Sequence, residues 1–128
     1  MTVVYAIDGS RIESLEDFWR VMGEVVNGPG GYFGRNLDAF NDCLRGGFGT
    51  PEDDDFIVEW SGHELSRTAL GYPETVRQLG LRLARCHPSN RARVQADLDA
   101  AGAGQGPTVF DWLVRIFEDQ IPGRLRLS

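Results

Sequence analysis

The chain predicts an α/β fold built on parallel strands, and three observations carry that prediction. Val3-Val4-Tyr5-Ala6-Ile7 is a continuous apolar run ending in Asp8-Gly9, the pattern of a strand buried on both faces and closed by a turn. Phe56-Ile57-Val58-Glu59-Trp60 is a second such run. Between the two, apolar residues recur at helical spacing in two separate stretches, and a helical crossover is what joins parallel strands.

The first run is expected to be the central strand of the sheet. Ser14 then precedes Leu15, Phe18, Trp19, Met22, Val25 and Val26, a helical stripe, with Asp17 three residues after the cap in an approximate capping box. Asn27-Gly28-Pro29-Gly30-Gly31 ends that helix, since proline cannot continue it and glycine readily takes positive φ. Asn36 caps the next helix, whose side-chain oxygen can accept from a first-turn N–H. At roughly 100° per residue, Leu37, Phe40 and Leu44 share one side of it while Asp38 and Asp42 point together from the other. With two helices between the strands, the connection should be right-handed.

Residues 63–101 read as mostly helical. Leu65 to Leu70 form a short piece, Pro73 is an N1 residue, Val76, Leu79 and Leu83 share a face, Pro88 breaks the helix, and another follows through Val94 and Leu98. Ala101-Gly102-Ala103-Gly104-Gln105-Gly106 reads as a flexible loop. A last helix near Thr108–Asp119 is expected to bury Val109, Trp112, Leu113, Ile116 and Phe117. Gly123-Arg124-Leu125-Arg126-Leu127 alternates as an edge strand does.

Length and charge limit the function. A chain of 128 residues fits one domain and can build a core without disulfides. Cys43 and Cys86 are too few for a disulfide framework and are expected as thiols. No stretch approaches the ~18 apolar residues that cross a bilayer, and MTVVYAIDG lacks the basic start and apolar core of a secretory signal, so a cytoplasmic chain is expected. All 13 basic residues are arginine, as a GC-rich genome favours. A net charge of −6 argues against direct nucleic-acid binding and favours a basic protein as partner.

Tyr32-Phe33-Gly34-Arg35-Asn36-Leu37-Asp38-Ala39-Phe40-Asn41-Asp42-Cys43-Leu44 is the stretch that carries chemistry. Like charges one turn apart weaken an isolated helix by roughly 0.2–0.5 kcal/mol. Asp38 and Asp42 can be read as a surface for cations, as an ordinary solvated face, or as a catalytic or metal-binding pair. Neither histidine lies at ligand spacing from them, and no cofactor or metal is expected. Glu52-Asp53-Asp54-Asp55 reads as a solvated loop, with long-range steering of a cationic partner as the sharper alternative. Cys86-His87 and His63 read as structural or surface residues. No Ser/His/Asp order, phosphate-binding loop or dinucleotide fingerprint is present.

The Tyr32–Leu44 stretch resembles the signature of the barstar-like family, intracellular inhibitors of the ribonuclease barnase. The tyrosine, glycine, asparagine, two aspartates and cysteine fall at the family's spacing, and the order of strands and helices follows it across most of the chain. Residues 66–107 form an extended helical region longer than the family's. The resemblance implies a single domain over residues 1–128, with a small three-stranded parallel sheet packed with helices. It implies no enzyme, but an inhibitor forming a one-to-one complex with a secreted, guanyl-specific microbial ribonuclease and monomeric when free. Asp42 would enter the phosphate pocket, Asp38 would support it, Tyr32 would lie against the catalytic histidine, and the backbone around Gly34 and Asn36 would line the contact. Phe33, Arg35, Asn41, Arg45 and Gly46 complete the expected partner-binding set.

Departures from the family pattern point to a different nuclease. Arg35 stands where the family has an acidic residue, Asn41 where it has an interface tryptophan, and Gly47 where it has another aromatic. Glu118 and Asp119 are the late acids available for a further contact. Two other readings remain: an immunity or regulatory module acting on another basic toxin or protein, and an acid–base hydrolase built on Asp38, Asp42 and Glu59.

Overall fold

Alternation along the first two strands buries Tyr5, Ile7, Phe56, Val58 and Trp60 on one face of the sheet, and the helices that cover it are amphipathic. The computed structural model describes residues 1–128. Strands β1 (Val3–Asp8), β2 (Phe56–Ser61) and β3 (Leu125–Leu127) form a parallel sheet in the order β1-β2-β3. In register, Tyr5 lies beside Val58 and Ile7 beside Trp60, while Trp60 pairs with Leu127. Helices α1 (Leu15–Asn27) and α2 (Leu37–Leu44) precede β2. Helices α3 (His63–Ala69), α4 (Tyr72–Arg85), α5 (Arg91–Gly102) and α6 (Val109–Gln120) lie between β2 and β3. The chain is therefore α/β, with a three-stranded parallel sheet and six helices.

Two expectations about β1 are corrected. It is an edge strand, because β3 pairs with β2 and makes β2 central. It is also buried on one face only: Tyr5 and Ile7 point into the core, whereas Val4, Ala6 and Asp8 are exposed. The apolar run therefore reflects strand propensity more than burial. The predicted 101–106 loop also begins later. α5 continues to Gly102, and Ala101 is buried.

Local chemistry sets the helix ends. Ser14 caps α1 by accepting from Asp17 N, and the Asp17 carboxylate answers one residue early, accepting from Glu13 N at 3.0 Å. Gly28, at φ 81°, closes that helix. Thr108 and Asp111 form a reciprocal capping box on α6. Pro73 falls within the first turn of α4, one place after Tyr72. In α6 the fully buried side chains are Val109, Phe110, Leu113 and Phe117, with Trp112 and Ile116 half-exposed at its border.

The core is a cluster of 21 buried residues running from Tyr5 to Ile121, so both ends of the chain contribute. Its centre is aromatic. Phe18 packs against Phe40 and Trp60 at ring-centroid distances of 5.3 Å, and Phe40 against Phe117 at 5.2 Å. Leu79 and Val94 are buried outside this cluster, where α5 lies on α4.

A polar tie holds α4 against the start of α1. The Glu74 carboxylate, 7% exposed, accepts from Leu15 N at 2.8 Å, from Arg77 Nε at 2.6 Å and from Gln78 Nε2 at 3.1 Å. Leu15 N is one of the first-turn donors that a helix leaves unpaired, and a carboxylate there also complements the helix dipole. Arg77 bridges onward to Glu16. Burial alone would raise the Glu74 pKa, but the bonds from Arg77, Leu15 N–H and Gln78 outweigh it and hold the value below the ordinary one.

A carboxylate with a lowered folded pKa contributes stability that is full above its unfolded value, about 4.3, and lost as pH falls through the folded value. Glu74→Gln should therefore lower stability at neutral pH by about 1–3 kcal/mol and flatten the loss of stability below about pH 4. Urea unfolding across pH measures both. An equally steep acid limb in the variant would assign that loss to other carboxylates.

Candidate functional site: an acidic helix and its aromatic loop

Helix α2 is only eight residues long, so its register comes from what it buries. Phe40, Cys43 and Leu44 are buried, which leaves Asp38 and Asp42 exposed on the outer side. Asn36 fixes the first turn by accepting from Ala39 N at 2.8 Å. Asp38, in that turn, is favoured by the helix dipole, which offsets part of the repulsion between the two carboxylates. Asp42 has one cationic neighbour, Arg45 at 4.0 Å, with both side chains about two-thirds exposed, 66% and 65%. So exposed a pair is weak. The Asp42 carboxylate is free to meet stronger cations.

The loop before α2 is folded back by Gly34. Its φ is 90°, and an added Cβ would lie 2.7 Å from Phe40 N, so only glycine fits. Phe33 is fully buried, edge-on to Phe40 at 6.0 Å. It therefore serves the core, and a side-chain contact between Phe33 and a partner is corrected on that ground. Tyr32 is 43% exposed, with the Arg35 guanidinium 6.0 Å from its ring centroid. A hollow of about 350 Å³ between this loop and α1 is lined by Trp19, Tyr32 and Arg35.

Two residues that sequence reasoning missed shape this surface. Phe48 is 44% exposed and lies 6.4 Å from Tyr32, ring to ring. Its signal was a lone aromatic set among Gly46, Gly47 and Gly49, where no regular element could bury it. Asn27 donates through Nδ2 to Tyr32 O and to Phe48 O, both at 2.7 Å. It ties the two aromatic loops together, and nothing in an asparagine at a helix end announces that.

The structure brings Tyr32, Arg35, Asn36, Asp38, Asn41, Asp42, Arg45 and Gly46 along α2 and its flanking loops, all exposed or half-exposed. Arg45 Nε also donates to Gln120 at 3.3 Å, so the end of α6 borders the strip, and Glu118 and Asp119 there are exposed. Glu59 lies elsewhere. It points from β2 to the open face of the sheet, whereas α2 packs on the core face, so Asp38, Asp42 and Glu59 do not converge as a hydrolase would need. No group of three or more histidine, cysteine, aspartate or glutamate side chains is placed to hold a metal. Cys43 is buried beside Asp42, and burial first and that charge second push its thiol pKa up, the opposite of a reactive cysteine. The Glu52–Asp55 run is a shaped turn. Asp54 takes φ 57°, its carbonyl accepts from Arg124, and Asp55 accepts from Thr2 Oγ1 at 2.7 Å.

Asn27→Ala should loosen both loops. Each lost hydrogen bond is worth about 0.5–1.5 kcal/mol, so thermal denaturation should show a destabilisation of that order. NMR relaxation should report faster motion at Tyr32 and Phe48 while amide exchange in α2 stays slow. Uniform quickening across α2 would show that the clamp also holds the helix.

No curated protein and no solved structure matches the chain. A family model described as "Barstar (barnase inhibitor)" matches residues 2–87, the stretch from β1 through α4 that contains the whole Tyr32–Leu44 segment. The chain belongs to the barstar family of barnase inhibitors.

Proposed function

We propose that this protein inhibits a barnase-like, guanyl-specific microbial ribonuclease by seating the α2 aspartates in the enzyme's phosphate-binding site. The carrying observation is the pair of exposed carboxylates, Asp38 and Asp42, on a helix whose opposite side is locked into the core by Phe40 and Leu44. A ribonuclease must hold anionic phosphate with cationic side chains. A carboxylate presented on a rigid support can occupy the same cations, and arginine forks bind carboxylate in bidentate fashion.

In this reading Asp42 is the anchor and Asp38 supports it. Tyr32 lies against the catalytic imidazole, with Phe48 extending the aromatic surface beside it. Backbone around Gly34 and Asn36, and the side chains of Arg35, Asn41 and Arg45 with Gly46, surround the contact. Residues 1–128 act as one domain in the cytoplasm, monomeric when free and one-to-one in the complex. Inhibition is occlusion: no bond is made or broken, and the substrate's place is filled.

Asp42→Ala should weaken binding most, because the enzyme's cations are left buried without a partner. For buried, hydrogen-bonded charge pairs the loss is on the order of 2–5 kcal/mol or more, a range to which barnase and barstar themselves contributed. Calorimetry against purified barnase and related secreted ribonucleases tests it. A folded Asp42→Ala protein that binds within ~1 kcal/mol of the parent, a difference under tenfold, would remove Asp42 as anchor.

Association should also slow as salt rises, since attraction between exposed charges is screened over about 8–10 Å at ordinary ionic strength. Converting Asp53, Asp54 and Asp55 to asparagine separates steering from contact, and asparagine tolerates the positive φ at position 54. Steering predicts a lower on-rate with a nearly unchanged off-rate in stopped-flow kinetics. An unchanged on-rate would leave the run as a structural turn.

A further inference from the structure

On the flank of α2 away from Asp42, a groove of about 1210 Å³ runs between α1, the start of α2, and α4, with α5 at its edge. Four arginines line it: Arg35, Arg82, Arg85 and Arg93. None of them takes part in any ion pair of the structure. The Arg82 guanidinium lies over the Trp112 ring, 5.1 Å from its centroid, a cation–π contact that positions it. The carboxylates in the groove are Glu16 and Asp38, and Glu16 is already bonded by Arg77 and Gln78. A protein with a net charge of −6 thus carries a locally cationic groove.

The lining is not only charged. Leu37 is half-buried and Leu81 is 39% exposed between the arginines, an apolar strip within a cationic rim. The ligand that satisfies both is anionic and apolar at once. A bare phosphate leaves the leucines unused and fills little of the volume. A nucleic-acid strand carries a phosphate at every residue but no aliphatic side chains for the leucines. A short amphipathic protein segment carries carboxylates for the guanidinium forks and apolar side chains for the leucines, the mode in which a helix lies in a groove.

We propose that the α1–α4 groove is a docking site for an acidic, amphipathic segment of a protein partner, with its carboxylates on Arg35, Arg82, Arg85 and Arg93 and its apolar side chains on Leu37 and Leu81. Arg82 and Arg85 lie on α4 and Arg93 on α5, so the helices between β2 and β3 supply most of the site. Arg35 and Asp38 belong both to the groove and to the surface around α2, so the two faces adjoin.

The probe is a fluorescein-labelled, acetylated peptide with glutamate and leucine at helical spacing, titrated by anisotropy into the full chain. Binding that weakens with salt, and a matching peptide with lysine for glutamate that does not bind, are expected. Arg85→Gln with Arg93→Gln, both exposed and distant from the core, should lower affinity by roughly tenfold or more. Arg82→Gln gives a second, independent variant. Asp42→Ala should keep the peptide whatever it does to ribonuclease binding, so failure of this site and failure of the inhibitor reading are distinguishable. The proposal is overturned by no peptide binding at millimolar concentration, by full affinity in the arginine variants, or by a short oligouridylate displacing the peptide.

Discussion

Edge-to-face packing between Phe18 and Phe40 is the interaction on which the rest of this structure depends. An isolated helix of eight residues is not stable in water, because nucleation is unfavourable and few hydrogen bonds follow it. α2 exists because Phe40 inserts between Phe18 and Phe117, at 5.3 and 5.2 Å. Through Phe18 the same cluster reaches Trp60 on the central strand. Four elements, α1, α2, β2 and α6, thereby share one aromatic centre. The direction of Asp38 and Asp42 follows from it, since burying Phe40 and Leu44 leaves the opposite side of the helix in solvent.

The polar ties are few and bridge elements far apart in the chain. Glu74 reaches the first turn of α1 across 59 positions, and Asn27 reaches Phe48 across 21. Ser66 does the same beneath the sheet, accepting from Trp60 Nε1 at 2.9 Å and donating to Gly9 O at 3.0 Å. The Glu74 and Ser66 bonds are buried and satisfy groups that would cost more unpaired than the bond contributes. Together they set where the loops and α4 stand relative to α2. The acidic strip and the cationic groove become neighbours because Glu74 holds α4 against α1.

The family match stops at residue 87, but the fold does not. Phe110, Leu113, Phe117 and Ile121 lie in the same core cluster as Phe18 and Phe40, and β3 completes the sheet by pairing with β2. The matched portion thus carries the signature helix, while the remainder supplies much of the apolar surface that holds it. α5, also beyond the match, packs on α4 and brings Arg93 to the groove.

What the sequence by itself determined is local. The caps at Ser14 and Asn36, the stop at Gly28, the helical stripes and the family signature all rest on residues within a few positions of one another, where backbone and side-chain geometry are set by near neighbours. Tertiary structure alone decided the rest. β1 is an edge strand because β3, more than a hundred positions later, takes the other side of β2. Phe33 is core rather than contact because Gly34 turns it beneath α2, and Phe48 meets Tyr32 because Asn27 bonds both loops. Arginines on α4 and α5 meet Arg35 only after α4 docks on α1. Such placements depend on which distant surfaces bury each other, and hydrophobic burial is non-directional, so no local pattern in the chain encodes it.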